Sequence, residues 1–358
     1  MNSHYYGLIL AGGRGTRFWP RSRRRSAKQV LNVVGERSLI QSTVDRLAPV
    51  IPPQRIWILT NEHLRQTIVE QLPEVPKEQV LAEPVQRNTA PAIGLAAQIF
   101  HSIDPAAVMG VFPSDHVIGK EPAYRKVILA ALRNAAGGKL MVVGIQPRWP
   151  ETGYGYIEFP RGSQAGAAAA LPVRKFHEKP ELPKAKRYVS AGNYYWNSGM
   201  FFWPAGLLLE ELRHHLTRTA TVLASLPAFG SRQFPARLKA AFPLCDNISI
   251  DYAVLEKASG VHGIAAVDFG WNDVGSWNAV YELLDRDAAG NVIELESICL
   301  DSQNNFVDAR GKMVALIGVK NLIVVDTPDA LLVAARERAQ QVGEIVKTLE
   351  KQNRHHLL

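Results

Sequence analysis

What this 358-residue sequence lacks narrows its chemistry before any motif is considered. It has two cysteines, Cys245 and Cys299, far apart and without a CxxC, which excludes a disulfide framework and a cysteine-built zinc site and fits a reducing cytoplasm. None of its ten histidines forms an HxH or HxxxH pair, so zinc held by histidine is not expected either. No stretch approaches the roughly 18 apolar residues of a membrane helix. The N-terminal MNSHYYGLILAGG carries a short apolar run with no basic flank, so neither a membrane span nor a secretion signal is read. No internal repeat is evident. What is present is charge: 41 Lys and Arg against 33 Asp and Glu, a net +8. Such an excess points to nucleic acid, a membrane surface or phosphorylated small molecules, and its position decides among them.

Much of it lies in LILAGGRGTRFWPRSRRRSAKQ, Leu8 to Gln29, where Arg14, Arg17, Arg21, Arg23, Arg24, Arg25 and Lys28 stand without one acid. A solvated surface loop would explain an arbitrary run of arginines. Here Gly12, Gly13 and Gly15 strip Cβ atoms from the chain where a strand ends, so backbone N–H groups can approach a polyphosphate closely while the cations face the same anion. The pattern is neither the P-loop GxxxxGK[ST] nor GxGxxG.

The apolar runs LILA, RIWILTN, QVLAEP, AVMGVF and LMVVGI alternate with helical patterns near Leu39 to Leu47, Glu62 to Leu72, Thr89 to Ile103 and Ala123 to Ala136. Strand then helix, repeated, predicts an α/β domain with a mostly parallel sheet covered on both faces. Ligands of such sheets lie beyond the carboxyl ends of the strands, where the glycine loop falls.

The long pattern LILAGGRGTR, a basic segment containing Pro20, and Lys28-Gln29 resembles the signature of the sugar-phosphate nucleotidyltransferases. Ala27 stands where that family commonly has proline. The resemblance implies a Rossmann-like, mostly parallel mixed sheet. It also implies that Arg17 and Lys28 act on a triphosphate cradled by Leu10, Ala11, Gly12, Gly13, Gly15 and Thr16.

Further motifs sharpen the likeness. In LAEPVQRNTAPAI, Asn88 or Thr89 can cap a helix with Pro91 in its first turn, which leaves Glu83 and Arg87 without a structural account. A carboxylate can accept from both N1–H and N2–H₂ of guanine, which adenine does not offer. The run resembles that of the mannose 1-phosphate guanylyltransferases, with Gln86 replacing glycine, and implies a nucleotide site containing Glu83, Arg87, Asn88, Thr89 and Ser114. In VFPSDHVI and VDFGWNDVGSW, Asp115 and Asp273 are candidate turn residues. Mg²⁺ prefers one or two carboxylates with phosphate oxygens completing its shell, and the resemblance assigns both aspartates to it.

Three motifs between them, TGYGYIE, FHEKP and WNSGMF, suit a sugar phosphate. Gly153 and Gly155 allow close backbone approach, Glu178 and Asn197 can bond hydroxyls, and Lys179 can meet a phosphate. Hairpin strands are the plain alternative for each alone. Together they look like the guanylyltransferase set and imply a sugar-phosphate site of Gly155, Glu178, Lys179 and Asn197. SIDYAVLEKA is read as mainly core, with Asp251 a candidate neighbour of the sugar, and Gln164 to Leu171 as a low-complexity exposed loop.

After Arg286 short strands with turn signals lead to a helix expected from Arg336 to about Gln352. They resemble a small β-helix-like tail, giving domains 1–286 and 287–358. The likeness runs from Leu8 to about Lys347, and the length leaves no room for the isomerase domain of longer relatives, so a single activity is expected. That activity is guanylyl transfer from GTP to mannose 1-phosphate with Mg²⁺, in a cytoplasmic homodimer binding neither nucleic acid nor membrane. A sister enzyme using another sugar 1-phosphate or base, and a catalytically silent nucleotide-sugar sensor, are the alternatives.

Overall fold

Alternation of side chains along the first strand explains the layering of the molecule. A computed structural model describes residues 2–166, 169–293 and 296–358. Residues 167 and 168 of the low-complexity stretch, and 294 and 295 of the tail, lie outside the described residues. In β1 (Tyr5–Leu10), Tyr6 and Leu8 face one buried cluster while Tyr5 and Ile9 face another, as a strand of period two buried on both sides requires. The following strands are β2 (Ile56–Asn61), β3 (Val80–Glu83), β4 (Val108–Pro113), β5 (Val117–Ile118), β6 (Leu140–Ile145), β7 (Tyr156–Glu158), β8 (Leu171–Pro172), β9 (Lys175–His177), β10 (Tyr194–Pro204), β11 (Val261–Ala265) and β12 (Trp271–Asn272).

The central sheet runs β3-β2-β1-β4-β10-β6-β11-β8. β1 is parallel to β2 and β4, and β6 to β11, whereas β10 enters antiparallel to both β4 and β6. The sheet is therefore mixed. Helices α1 (Leu39–Leu47), α2 (Glu62–Gln71) and α4 (Glu121–Ala136) contribute Val44, Ile68, Ile128 and Leu132 to one core, and α3 (Thr89–Ile103) contributes Ile93, Leu95 and Phe100 to the other. Helix starts follow local chemistry. Ser38 and Gln41 form a reciprocal capping box before α1, and Asn61 Oδ1 accepts from His63 N and Leu64 N to begin α2 directly from β2. The helix of α4 begins at Glu121, two residues earlier than its apolar pattern. Next come α5 (Leu182–Ala191), α6 (Ala205–His215), α7 (Thr217–Ala224), α8 (Phe234–Ala241) and α9 (Trp277–Leu283).

The C-terminal stretch adds β13 (Val292–Ile293), β14 (Ser297–Leu300), β15 (Phe306–Asp308), β16 (Val314–Ile317), β17 (Leu322–Thr327) and β18 (Ala330–Ala335). β13, β15 and β17 form one parallel ladder and β14 with β16 another, the arrangement of a short β-solenoid. Buried Asn305 ties successive coils by donating to Asn291 Oδ1 and to the Val319 carbonyl. The expected terminal helix divides. Arg336–Gln341 is a 3₁₀ turn, and α10 runs Val342–Lys351.

This unit has a small core of its own, Val307, Ala309 and Leu316, and shares a larger one with the catalytic half. Phe18 and Trp19 of the arginine-rich segment, Val274 and Trp277, and Phe306, Ile323, Val342, Val346 and Leu349 form one buried cluster. Trp277 Nε1 donates to the Trp19 carbonyl at 3.0 Å, and Trp19 Nε1 to the Leu357 carbonyl at 3.0 Å. Burial of each such aromatic contributes on the order of 2–3 kcal/mol.

Candidate active site

The glycine loop leaves β1 at the carboxyl edge of the sheet and turns at Gly15, whose φ is +59°. A Cβ there would stand 2.7 Å from the Lys28 Cβ and 2.9 Å from the Lys28 backbone N, so only glycine lets the loop close over that lysine. Gln29 Nε2 donates to the Ala11 and Gly13 carbonyls and Thr60 Oγ1 to Ala11, which holds the base of the loop. Gly13 is exposed, with open space where a Cβ would be.

The cations do not all face one anion. Arg21 Nη1 meets Asp308 Oδ2 at 2.5 Å, Arg23 Nη2 meets Asp329 Oδ1 at 3.0 Å, and Arg14 pairs with Glu350. Three of the seven thus hold the C-terminal unit, and the expectation of a single cationic face is corrected accordingly. Arg17 is exposed and makes one long bond, 3.4 Å, to the Gly275 carbonyl.

Lys28, one of the seven cations of the arginine-rich stretch, is 5% exposed. Its Nζ donates to Asp115 Oδ2 at 2.8 Å and to the Asp273 carbonyl at 2.7 Å. The two aspartates come together because β5, just after Asp115, pairs antiparallel with β12, just before Asp273. Asp273 therefore follows a two-residue strand outside the central sheet. Burial opposes ionisation of Asp115, but the neighbouring Lys28 ammonium holds its carboxyl below the usual carboxylate range. Tyr154 donates its hydroxyl to Asp273 Oδ1 at 2.5 Å. Burial, then the charge of Asp273, keeps that phenol protonated. Among the described residues each aspartate retains an oxygen with no side-chain donor. Among the described residues no three His, Cys, Asp or Glu side chains gather closely enough to hold a metal alone.

Beside this centre lies a cleft of roughly 760 Å³. At one end Leu10, Gly12, Gly13, Glu83, Asn88 and Thr89 line it; at the other, Gly155, Glu178, Lys179, Asn197 and Asp251, with Asp273 also on its wall. Glu83 is 9% exposed, makes no side-chain hydrogen bond among the described residues, and sits so close that a Cβ on Gly12 would stand 3.6 Å from its Oε1. Burial pushes its carboxyl up to about 7. Gln86, in the place of the expected glycine, donates to the Gly12 carbonyl. Asn88 caps α3 through Thr89 N and adopts φ +64°.

At the far end Lys179 Nζ donates to Glu178 Oε1 at 2.8 Å and Asn197 Nδ2 to Asp251 Oδ1 at 2.8 Å. Asn197 lies within β10, at the shift in its register against β6. Burial, then the nearby Glu178, raises the Asp251 carboxyl to about 6. Lys179 and Val274 have φ of +45° and +49°. Positive φ elsewhere among the described residues falls on Gly, Asn and Asp; of the two residues with least tolerance of it, Lys179 lines the cleft and Val274, buried in the third core, directly follows Asp273 on the cleft wall.

Residues 6–290 match the nucleotidyl transferase family, and residues 295–349 a mannose-phosphate isomerase/GMP-like β-helix domain. The chain belongs to the nucleotidyl transferase family. Across 351 residues it is 41% identical to the xanthan biosynthesis protein XanB of Xanthomonas campestris, covering 97% of this chain and 73% of that one. It is 39% identical to a mannose-1-phosphate guanylyltransferase of Escherichia coli, over 99% and 75%. A crystal structure described as mannose-1-phosphate geranyltransferase from Thermus thermophilus superposes with a TM-score of 0.86 at 33% identity, over 97% and 99%. Nucleotidyltransferases of this kind generally use a divalent metal. Among the described residues no helix is long and apolar enough to cross a membrane.

Not every residue singled out from the sequence of this nucleotidyltransferase lines the cleft. Ala11 and Ser114 are buried beneath it. Thr16 faces away, toward α10, where a Cβ on Gly343 would lie 3.5 Å from its Oγ1. Arg87 donates from its guanidinium to the Pro243 carbonyl, in the 3₁₀ turn Phe242–Leu244, and does not line the cleft. Conversely His116, Tyr154, Asn247 and Trp271 line the cleft unpredicted. Tyr154, His116 and Trp271 lie inside the quoted TGYGYIE, VFPSDHVI and VDFGWNDVGSW motifs; Asn247 lies outside every quoted motif, and only the fold brings it there.

Proposed function

We infer that this chain is a mannose-1-phosphate guanylyltransferase: an oxygen of the mannose 1-phosphate phosphate forms a bond to the α-phosphorus of GTP while the bond from that phosphorus to the bridging oxygen of pyrophosphate breaks, giving GDP-mannose. The observation that carries this reading is the single cleft with an unpartnered buried carboxylate at one end and the Glu178–Lys179 pair at the other. Glu83 accepts from N1–H and N2–H₂ of guanine, and the backbone of Gly12 and Gly13 runs beside the triphosphate. The Lys28 ammonium has three N–H groups and spends two on Asp115 and Asp273. The third meets the triphosphate, as does the exposed Arg17. Lys179 meets the acceptor phosphate, and Asn197 and Glu178 take the sugar hydroxyls.

The attacking oxygen is already anionic, so no base is required and the residues work by position and charge. Asp115 and Asp273 fit Mg²⁺, because two carboxylates with free oxygens suit an ion whose remaining ligands are phosphate and water. When bound, the ion supplies neutralisation of the triphosphate's negative charge. A matrix of GTP, ATP and UTP against mannose, glucose and galactose 1-phosphates, scored by pyrophosphate release, tests the reading. GTP with mannose 1-phosphate should lead by orders of magnitude, and equal rates across nucleotides refute it.

A further inference from the structure

The third core joins two segments of the site to the C-terminal unit. Phe18 and Trp19 immediately follow the glycine loop, Val274 immediately follows Asp273, and both segments bury their side chains against β15, β17 and α10. The loop's carbonyls at Gly12, Gly13 and Arg14 accept from Gln86, Gln29 and Ser22, but the side chain of Arg14 reaches the other way. A cavity of roughly 430 Å³ extends from Glu83 and Gln86 past Gly13 and Arg14 to Val346 of α10, so that Gly13 and Arg14 are unfilled on this side, while Thr16 packs onto α10 at Gly343. Across that gap the loop's own charged contact is Arg14 Nη2 with Glu350 Oε1 on α10. Arg14 stands between Gly13 and Gly15, so the guanidinium anchors the most deformable part of the chain.

We propose that α10 is a positioning element for the triphosphate loop, with Glu350 acting on GTP through Arg14. Glu350 is a positioning residue and touches no substrate. Without the pair, Gly12–Gly15 samples conformations in which its backbone N–H groups miss the phosphates, and a displacement of about 1 Å at such a site can cost up to ~10²-fold in rate. Both side chains are partly exposed, at 48% and 33%, so losing their attraction costs the fold little. This separates positioning from general stability. The proposal rests on Gly12–Arg17 being the triphosphate cradle.

The test uses the full chain with GTP, Mg²⁺ and mannose 1-phosphate. Glu350→Gln should lower kcat/KM for GTP about tenfold, leave KM for mannose 1-phosphate unchanged, and shift Tm by less than about 2 °C. Arg14→Gln should do the same, and the double variant should be no worse than either single, as one shared contact requires. Trypsin supplies a readout apart from activity, since Arg17 to Arg25 are cleavage sites beside the loop: Glu350→Gln should be nicked there several-fold faster than the parent. Unchanged nicking overturns the latch itself. Faster nicking with unchanged GTP kinetics overturns the proposal by way of the loop's assignment to the triphosphate. A large loss in Arg14→Gln with none in Glu350→Gln overturns it as well, since Arg14 then meets GTP directly.

Discussion

The sharpest consequence of the site's geometry is a pH dependence seated on Glu83. Its carboxyl titrates at about 7 because burial disfavours the charge, and it can accept both guanine N–H groups only when ionised. Roughly one such carboxyl in two is ionised at pH 7 and one in eleven at pH 6. kcat/KM for GTP should therefore fall about fivefold between those values and approach tenfold per unit below. The assay is pyrophosphate release from pH 5.5 to 8.5 at saturating mannose 1-phosphate, so that Asp251, at about 6 on the sugar side, is already engaged. Glu83→Gln keeps the shape but turns a donor toward guanine. Losing a charged hydrogen bond of about 2–3 kcal/mol should lower kcat/KM for GTP roughly 30- to 150-fold and abolish this limb of the profile.

Stability gives an independent check. A carboxyl with its folded pKa raised from 4.5 to about 7 favours the folded state most below pH 4.5, and that contribution is lost as pH rises through 7. The loss is about 3 kcal/mol. Glu83→Gln should accordingly raise Tm at pH 8 and not at pH 4.5, while costing activity. A parent profile flat through pH 7, or a Gln variant with the parent's limb and stability, would refute the assignment.

Other outcomes follow from neighbouring contacts. Lys28→Met should cut kcat on the order of 10²–10³-fold and also lower Tm by several degrees, because it strands Asp115 beside a buried apolar stem; circular dichroism melting beside pyrophosphate release checks both, and an unchanged Tm would contradict the burial of this lysine. Asp273→Asn should lose a similar factor of about 10²–10³ in rate, with a raised Mg²⁺ requirement that excess metal partly restores, measured by Mg²⁺ titration of initial rates. Gly155→Ala places a methyl against the Glu178 carboxylate, so KM for mannose 1-phosphate should rise about tenfold while KM for GTP stays put, read from paired saturation curves.

Much of the catalytic half is legible in the chain itself. Runs such as RIWILTN must be buried on both faces, Asn61 and Asn88 carry their own capping groups, and Gly15 announces a backbone that no side chain can accompany. These are local properties, set within a few residues, and they locate the glycine loop at a strand's carboxyl end. The kinds of group in the cleft are legible too, because carboxylates, amides and lysines set among glycines have little structural purpose there.

What depends on partners distant in sequence is decided by tertiary structure. Lys28 looks like one more exposed cation until β5 and β12 pair and enclose it between Asp115 and Asp273. Arg87 sits in the same motif as Glu83, yet a carbonyl at Pro243 turns it away while burial leaves Glu83 facing the cleft. The arginines divide in the same way. Their number and spacing show a positive field, but whether each meets a phosphate or a carboxylate depends on Asp308, Asp329 and Glu350, which arrive some 290 to 340 residues later. Electrostatic pairing acts through space over a few ångströms, and only the folded chain defines which charges lie within that range.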